Sequence, residues 1–450
     1  MAEEKKLFGM PAEKGRWILI VLGFIINICL GSVYAYAIFG KQLAAEWGFG
    51  AVGGVQAAGD VFKQQIPFGV FLLFFAAIFP LSGQLLEKLG PKKQGIIGGI
   101  IVAAGWILAS FVASGTESVP LFVLTYGVIG GIGVGLCYIA PIQVATRWFP
   151  DKKGLATGLT VAGFGGSPFI STYLGQELID MNHHVSDALL YLGIAFLVVL
   201  IVSFWFMVFP EAGWKPAGWT PKAAPAAATS AVNYNRNEII KTPTFWVLFA
   251  CFAIGSLAGL MAIGIYSSVY ARDVINLTIH TTALSTAVIV QFILAPFNAG
   301  GRPVFGAVTD KLGPRVAAMI TFVVILLAAG GMIVVGKGTD TATTLNKALY
   351  FVCFAAFYAG LGGWLAIAPT AVAQFFGTKF SSRNYGVLFL AYGVGGLIAT
   401  FVAAYSSKIF KGDAGVLDAF IPVAILAALG FVLAAFFMKP PKQVEAAKRQ

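Results

Sequence analysis

The chain has 450 residues, 58% of them apolar and only 11% charged, with a formal net charge of +11. A soluble domain has too little interior to hide that much apolar side chain, so a bilayer must solvate part of it and the chain reads as integral to a membrane. In such a chain the positive charge concerns first how Lys and Arg are shared among the loops, so no nucleic-acid partner is expected.

The amino terminus, MAEEKKLFGMPAEKGR, is polar, and no short apolar core beside a small-residue cleavage pattern follows it, so no cleaved signal peptide is expected. A helix needs about 20 mostly apolar residues to cross the hydrocarbon. Twelve segments qualify, at 17–39, 66–86, 94–114, 119–146, 154–176, 187–209, 244–270, 282–309, 315–336, 347–376, 382–406 and 417–438. Residues 40–65, Gly/Ala-rich but carrying Asp60 and Lys63, read as a long first outer loop. The run GGIGVG (130–135) has the letters of a dinucleotide loop, but it lies inside an apolar span with no strand before it and is assigned to packing. Cys29, Cys137, Cys251 and Cys353 stand singly in apolar runs, without the spacing of a disulfide framework or a metal site, and no metal or cofactor is expected.

The longest inner connection, 210–243, is rich in Pro and Ala and reads as a linker between a bundle of six helices (1–209) and a second bundle of six (244–450). With both termini placed in the cytoplasm, 22 of the 30 Lys and Arg residues fall in inner segments, seven fall outside, and one, Arg302, is inside a span. That asymmetry sets the orientation by the positive-inside rule. The fold expected is an all-α membrane protein of twelve transmembrane helices, multi-pass in the cell inner or plasma membrane.

The halves echo each other. GQLLEKLGPKK (83–93) after the second span and GAVTDKLGPR (306–315) after the eighth share a glycine, an acid four residues on, a lysine and a Gly-Pro turn, at an offset of 223. GLATGLTVAGFGG (154–166) and NYGVLFLAYGVGG (384–396) align at an offset of 230. Repeats of this kind build secondary transporters around a central site.

At these residues the chain resembles the major facilitator superfamily, whose loops between spans 2 and 3 and between spans 8 and 9 carry Gly-x-x-x-Asp-Arg-x-Gly-Arg-Arg. Here Glu87 and Lys88 replace Asp and Arg in the first copy and Lys311 replaces Arg in the second, so the type of charge is kept. The resemblance implies that Gly83, Glu87, Lys88, Gly306, Asp310, Lys311 and Arg315 act as conformational-gate motifs. Within that superfamily, RWFPDKKGLATGLTVAGFG (147–165), GGRPVFGAVTDKLGPR (300–315) and FGTKFSSRNYG (376–386) resemble the oxalate/formate antiporter family, itself similar to the monocarboxylate transporters.

Arg302 lies about eight residues before Asp310 at the inner end of its helix, so at about 1.5 Å per residue it sits roughly 12 Å deep. A guanidinium near the bilayer centre costs about 2.5–3.5 kcal/mol on insertion scales, and it persists only where it faces a cavity or a partner. All 19 Asp and Glu residues fall in loops or near span ends, and the residue one turn earlier is Asn298, where many monocarboxylate transporters have an aspartate. An arginine without an internal acid offers its fork of donors to a carboxylate substrate. The alternative is a structural arginine held by backbone carbonyls freed around Pro296 and Pro303.

Polar aromatics inside apolar spans can bond a small anion without adding charge. Tyr34, Tyr138, Tyr358 and Tyr392 are such residues, with Asn298 beside Arg302, and Phe354, Phe357, Leu361 and Phe164 are expected to set pocket size. The resemblance implies more for three of them: Tyr34 and Tyr138 fall where the oxalate/formate family places substrate-contacting tyrosines, and Phe164 where oxalate exchangers have another. Aligned through SSRNYG (381–386), Tyr392 occupies the place of an oxalate exchanger's second cation, a lysine. One positive charge matches one carboxylate, so a small monocarboxylate (lactate, pyruvate or formate) is expected rather than oxalate.

The expected mechanism is alternating access of the two bundles about Arg302, with a monomer as the functional unit. The resemblance to monocarboxylate transporters implies proton coupling, for which Asp273 is the candidate carrier; exchange of two carboxylates is the alternative. An enzyme is not expected, because there is no Walker loop, metal-spaced His cluster or nucleophile with an evident base, and a lone internal charge fits an occluding site better than a channel's charged ring.

Overall fold

Hydrocarbon offers no hydrogen-bond partner to an exposed peptide group, so long apolar runs satisfy their backbone internally as helices. The computed structural model describes residues 6–49, 58–182, 184–211, 214–216, 233–266, 286–336, 343–377, 380–410 and 419–441, and helix is present in each of the twelve predicted segments. In chain order these are α1 (Ala12–Glu46), α2 (58–89), α3 (91–113), α4 (Val119–Trp148), α5 (Lys153–Asn182), α6 (Val185–Trp205), α7 (Pro243–Gly264), α8 (286–312), α9 (314–336), α10 (Thr344–Phe376), α11 (381–410) and α12 (Phe420–Phe437). Taken as continuous elements, nine helices among the described residues are long and apolar enough to cross a membrane. Two of the nine are the pairs α2–α3 and α8–α9, each interrupted by one residue of non-helical backbone. α5 falls outside the nine because Gly, Ser and Thr dilute its apolar character.

The interruptions are Gly90 (φ 74°, ψ 167°) and Gly313 (φ 81°, ψ 160°), the Gly-Pro glycines of the two repeated motifs. A positive φ favours glycine, and the proline that follows is preorganised for the first turn of the next helix. Across Gly90, Gln94 Nε2 donates to the carbonyl of Ser82 at 3.0 Å and to its hydroxyl at 2.7 Å. Twelve residues of straight helix would hold these groups about 18 Å apart, so α2 and α3 fold back on each other.

The first outer connection is shorter than its composition suggests. α1 continues to Glu46 and α2 begins at 58, so much of 40–65 is helical; 50–57 lie outside the described residues. KQLAAE supplies good helix formers, Gln42 bonds Glu46 one turn on at 3.0 Å, and Gly48 at φ 74° ends the helix.

At the end of the molecule bearing the amino terminus, a hairpin of β1 (Lys6–Leu7) and β2 (Met10–Pro11) turns through Phe8 (φ 55°) and Gly9 (φ 76°), the two positive φ values of a tight hairpin turn. Beside it Arg16 donates to both carboxylate oxygens of Asp151, at 2.6 and 3.0 Å, and to the Trp148 carbonyl at 3.0 Å, with its guanidinium 4.3 Å from the Phe149 ring. These hydrogen bonds from Arg16 hold the Asp151 carboxyl below its ordinary pKa. The far end of the predicted linker is tied to the second bundle: Tyr234 N–H donates to Phe376 O and Asn384 Nδ2 donates to Tyr234 O, both at 2.9 Å.

The bundles meet along two seams, α2 against α11 and α5 against α8. A Cβ on Gly393 of α11 would lie 2.9 Å from the Leu72 carbonyl oxygen, so a side chain there would push the halves apart.

Candidate functional site

Arg302 projects from α8 into the seam with α5. It is 8% exposed, and Nη1 donates to the Val161 carbonyl of α5 at 3.0 Å, whereas Nε and Nη2 have no hydrogen-bond partner. The bond therefore runs to the opposite bundle rather than to carbonyls freed around Pro296 or Pro303. Gly165 makes this approach possible: a Cβ there would stand 3.3 Å from Ala299 and 3.5 Å from Arg302 Nη2. One turn earlier on α8, Asn298 is 1% exposed and neither its Oδ1 nor its Nδ2 is partnered.

Buried polar groups are nearly always hydrogen-bonded, and Arg302 and Asn298, one turn apart, both keep unused hydrogen-bonding capacity. The ion pairs among the described residues join Arg16 to Asp151, Lys63 to Glu117 and Arg383 to Glu87; none includes Arg302. The hydroxyls of Tyr34, Tyr138, Tyr385 and Tyr392 lie near the guanidinium, that of Tyr138 closely enough to interact with it directly.

Those tyrosines form one aromatic cluster across the seam. Tyr34 sits in a 3₁₀ turn (Gly31–Ala35) within α1, and its hydroxyl shares a 2.5 Å hydrogen bond with that of Tyr392 from α11. Phe164 of α5 packs edge-on against Tyr34 at 5.2 Å and Tyr138 at 5.1 Å, and stacks on Phe75 at 5.9 Å. Tyr392 stacks on Phe389 at 5.1 Å, and Phe389 stacks on Phe79 at 4.6 Å. Arg302, Asn298, Tyr34, Tyr138, Phe164 and Tyr392 are thus brought together in one buried region.

The α10 residues are divided. Gly362 lies against the Asn298 carbonyl, so α10 backs the site closely, and Tyr358 donates to Gln291 Oε1 of α8 at 3.0 Å. Phe354 and Phe357 pack edge-on against each other at 5.7 Å, and Phe357 stacks on Phe420 of α12 at 5.7 Å; Leu361 packs against Gly259 of α7. The contacts described for Phe354, Phe357 and Leu361 are to neighbours within the second bundle. Rings three residues apart in α10 cannot be assigned to site or core from spacing alone.

Among the motif residues, Glu87 reaches Arg383 of the opposite bundle at 3.3 Å, both side chains being exposed, and Arg315 donates to the Ala435 carbonyl of α12. Lys88, Asp310 and Lys311 are exposed, while Gly83 and Gly306 lie against Ile139 and Ala366. Asp273 lies outside the described residues. Phe75, Phe79, Phe389 and Tyr385 were not singled out from the sequence. The three phenylalanines share their apolar runs with lipid-facing residues, but Tyr385, in SSRNYG, was open to notice as a polar aromatic.

The model of the Major Facilitator Superfamily matches residues 16–400. The chain belongs to that superfamily. It is 28% identical to the oxalate:formate antiporter of Oxalobacter formigenes over 94% of this chain and 91% of that protein. It is 23% identical to apicoplast pyruvate carrier 1 of Toxoplasma gondii over 84% and 81%. Monocarboxylate transporters of vertebrates are further relatives. A crystal structure of a D-xylose–proton symporter shares the fold, with a TM-score of 0.68 at 13% identity, covering 95% of this chain and 98% of that one. The chain is a membrane transporter rather than an enzyme.

Proposed function

We propose that this transporter carries small monocarboxylates of the lactate, pyruvate or formate kind by alternating access about Arg302, a single chain being the working unit and both termini lying in the cytoplasm. The observation that carries the reading is the buried Arg302 guanidinium with Nε and Nη2 unpartnered beside an unpartnered Asn298 amide. A carboxylate received by Nε and Nη2 is held by two parallel charge-assisted hydrogen bonds. Asn298 and the tyrosine hydroxyls then bond a keto or hydroxyl oxygen. A dianion would keep a second charge unpaired in a low-dielectric site, a penalty of roughly several kcal/mol. The relative named as a pyruvate carrier supports the monocarboxylate class.

Symport with a proton is the first mode of coupling. Exchange is the second, favoured by one observation: no acid among the described residues pairs with Arg302, so an empty carrier must close over an uncompensated cation. The relative named as an antiporter agrees with that reading.

Purified protein in proteoliposomes tests both. Radiolabelled lactate, pyruvate or formate should enter saturably, and the flux should disappear in Arg302→Gln. Entry into empty vesicles with acidification of the lumen selects symport. Entry that requires preloaded anion and ignores the proton gradient selects exchange. Saturable carboxylate flux that survives in Arg302→Gln refutes the assignment of the site.

A further inference from the structure

The seam between α5 and α8 contains a cavity of about 230 Å³ that the anion site does not use. Its wall is apolar throughout: Phe24 and Ile28 of α1, Gly166, Phe169 and Ile170 of α5, and Pro296 of α8 are among the lining residues. Gly166 lies near the middle of the 30-residue α5 and Pro296 near the middle of α8, so the cavity stands at mid-membrane depth. Phe24, Phe169 and Ile170 are 39%, 49% and 39% exposed, so the mouth opens outward on a membrane-spanning surface. Phe169 packs against Phe292 across the seam at 4.2 Å, joining the bundles beside the opening.

An apolar cavity of this size does not hold water, which would need two or more polar partners, and an empty one forfeits dispersion contacts along its whole lining. At this depth the surrounding medium is hydrocarbon. We infer that a lipid acyl chain occupies this cavity as a wedge between the two bundles. Its polar-free wall matches methylene groups and nothing else the membrane interior offers. Gly166 is next to Gly165, whose position borders Ala299 and Arg302 Nη2, so the wedged chain lies along the flank of the anion site. The inference is independent of which anion the site carries.

Full-length protein is reconstituted in phosphatidylcholine nanodiscs containing a minor fraction of phosphatidylcholine with a diazirine at mid-chain, irradiated, and mapped by peptide mass spectrometry. Adducts on Phe24, Ile28, Phe169 and Ile170 should exceed, several-fold, those on Ile194 and Val198, which are exposed on α6. In Gly166→Leu, whose added side chain starts in open space because nothing lies within 4 Å of a Cβ there, the excess should vanish while the α6 adducts remain. Gly166→Ala should retain the excess. Should Gly166→Leu fail to fold, Ile28→Trp fills the cavity from the α1 side and should have the same effect. Labelling at the cavity no greater than on α6, or an excess unchanged by filling the cavity, overturns the proposal.

Discussion

The 2.5 Å hydrogen bond between Tyr34 and Tyr392 joins the two bundles through side chains that are 0% and 1% exposed. Changing either residue to phenylalanine deletes one hydroxyl and leaves the other buried without its partner, a loss of about 1–3 kcal/mol. Removing both hydroxyls together strands neither, so the double variant should be destabilised by little more than one single variant. The coupling energy expected from the cycle is therefore about 1–2 kcal/mol, well within the range seen for contacting pairs. The assay is reversible unfolding of the four proteins by SDS in mixed micelles, read by far-ultraviolet circular dichroism, with thermal melts as a second measure. Additivity of the two single substitutions to within about 0.5 kcal/mol would show that the hydroxyls do not act as a pair and would refute the reasoning.

Tyr392→Lys adds a second cation at the seam and should shift the ratio of oxalate to lactate affinity towards oxalate by more than about tenfold, or about 1.4 kcal/mol, measured by competition binding; an unchanged ratio would remove the charge-matching argument. Glu87→Gln breaks an exposed pair worth at most about 1 kcal/mol, so turnover in proteoliposomes should change up to several-fold while equilibrium carboxylate affinity stays the same. Asp151→Asn leaves Arg16 without its counter-charge and should destabilise the protein by about 1–3 kcal/mol. The lowered pKa of Asp151 sets the sign of the pH effect: its stabilisation is present above the ordinary carboxylate pKa and is lost as pH falls through the lower, folded-state value. The acid limb of the stability profile should accordingly flatten in Asp151→Asn, whereas an unchanged profile would assign the limb to other carboxylates. Gly165→Val places branched carbon against Ala299 and Arg302 and should impair carboxylate binding, checked by the same competition assay.

Much of the fold was legible because its signals are local. Apolar length marks the helices, and the repeated Gly-Pro motifs located both backbone reversals at Gly90 and Gly313, where positive φ calls for glycine. Arg302 and Asn298 were legible as site candidates because a charge inside a span needs a reason to be there. What stayed hidden depends on contacts between distant segments. Nothing in the letters marks the Val161 carbonyl as a partner for Arg302, since every residue has one. Tyr34 and Tyr392 lie 358 residues apart, and only the packing of α2 along α11 and of α5 along α8 brings them together. The expected long first loop gave way because Gly and Ala were weighed as loop formers, while KQLAAE carries enough helix propensity to extend α1.

The central claim is that Arg302 receives the substrate's carboxylate through paired donors, and equilibrium binding tests it most directly. Isothermal titration of the purified protein with lactate, pyruvate and formate should give saturable binding that weakens at least about tenfold in Arg302→Lys, which keeps the charge and loses the fork. Equal affinity in the two proteins would contradict the account.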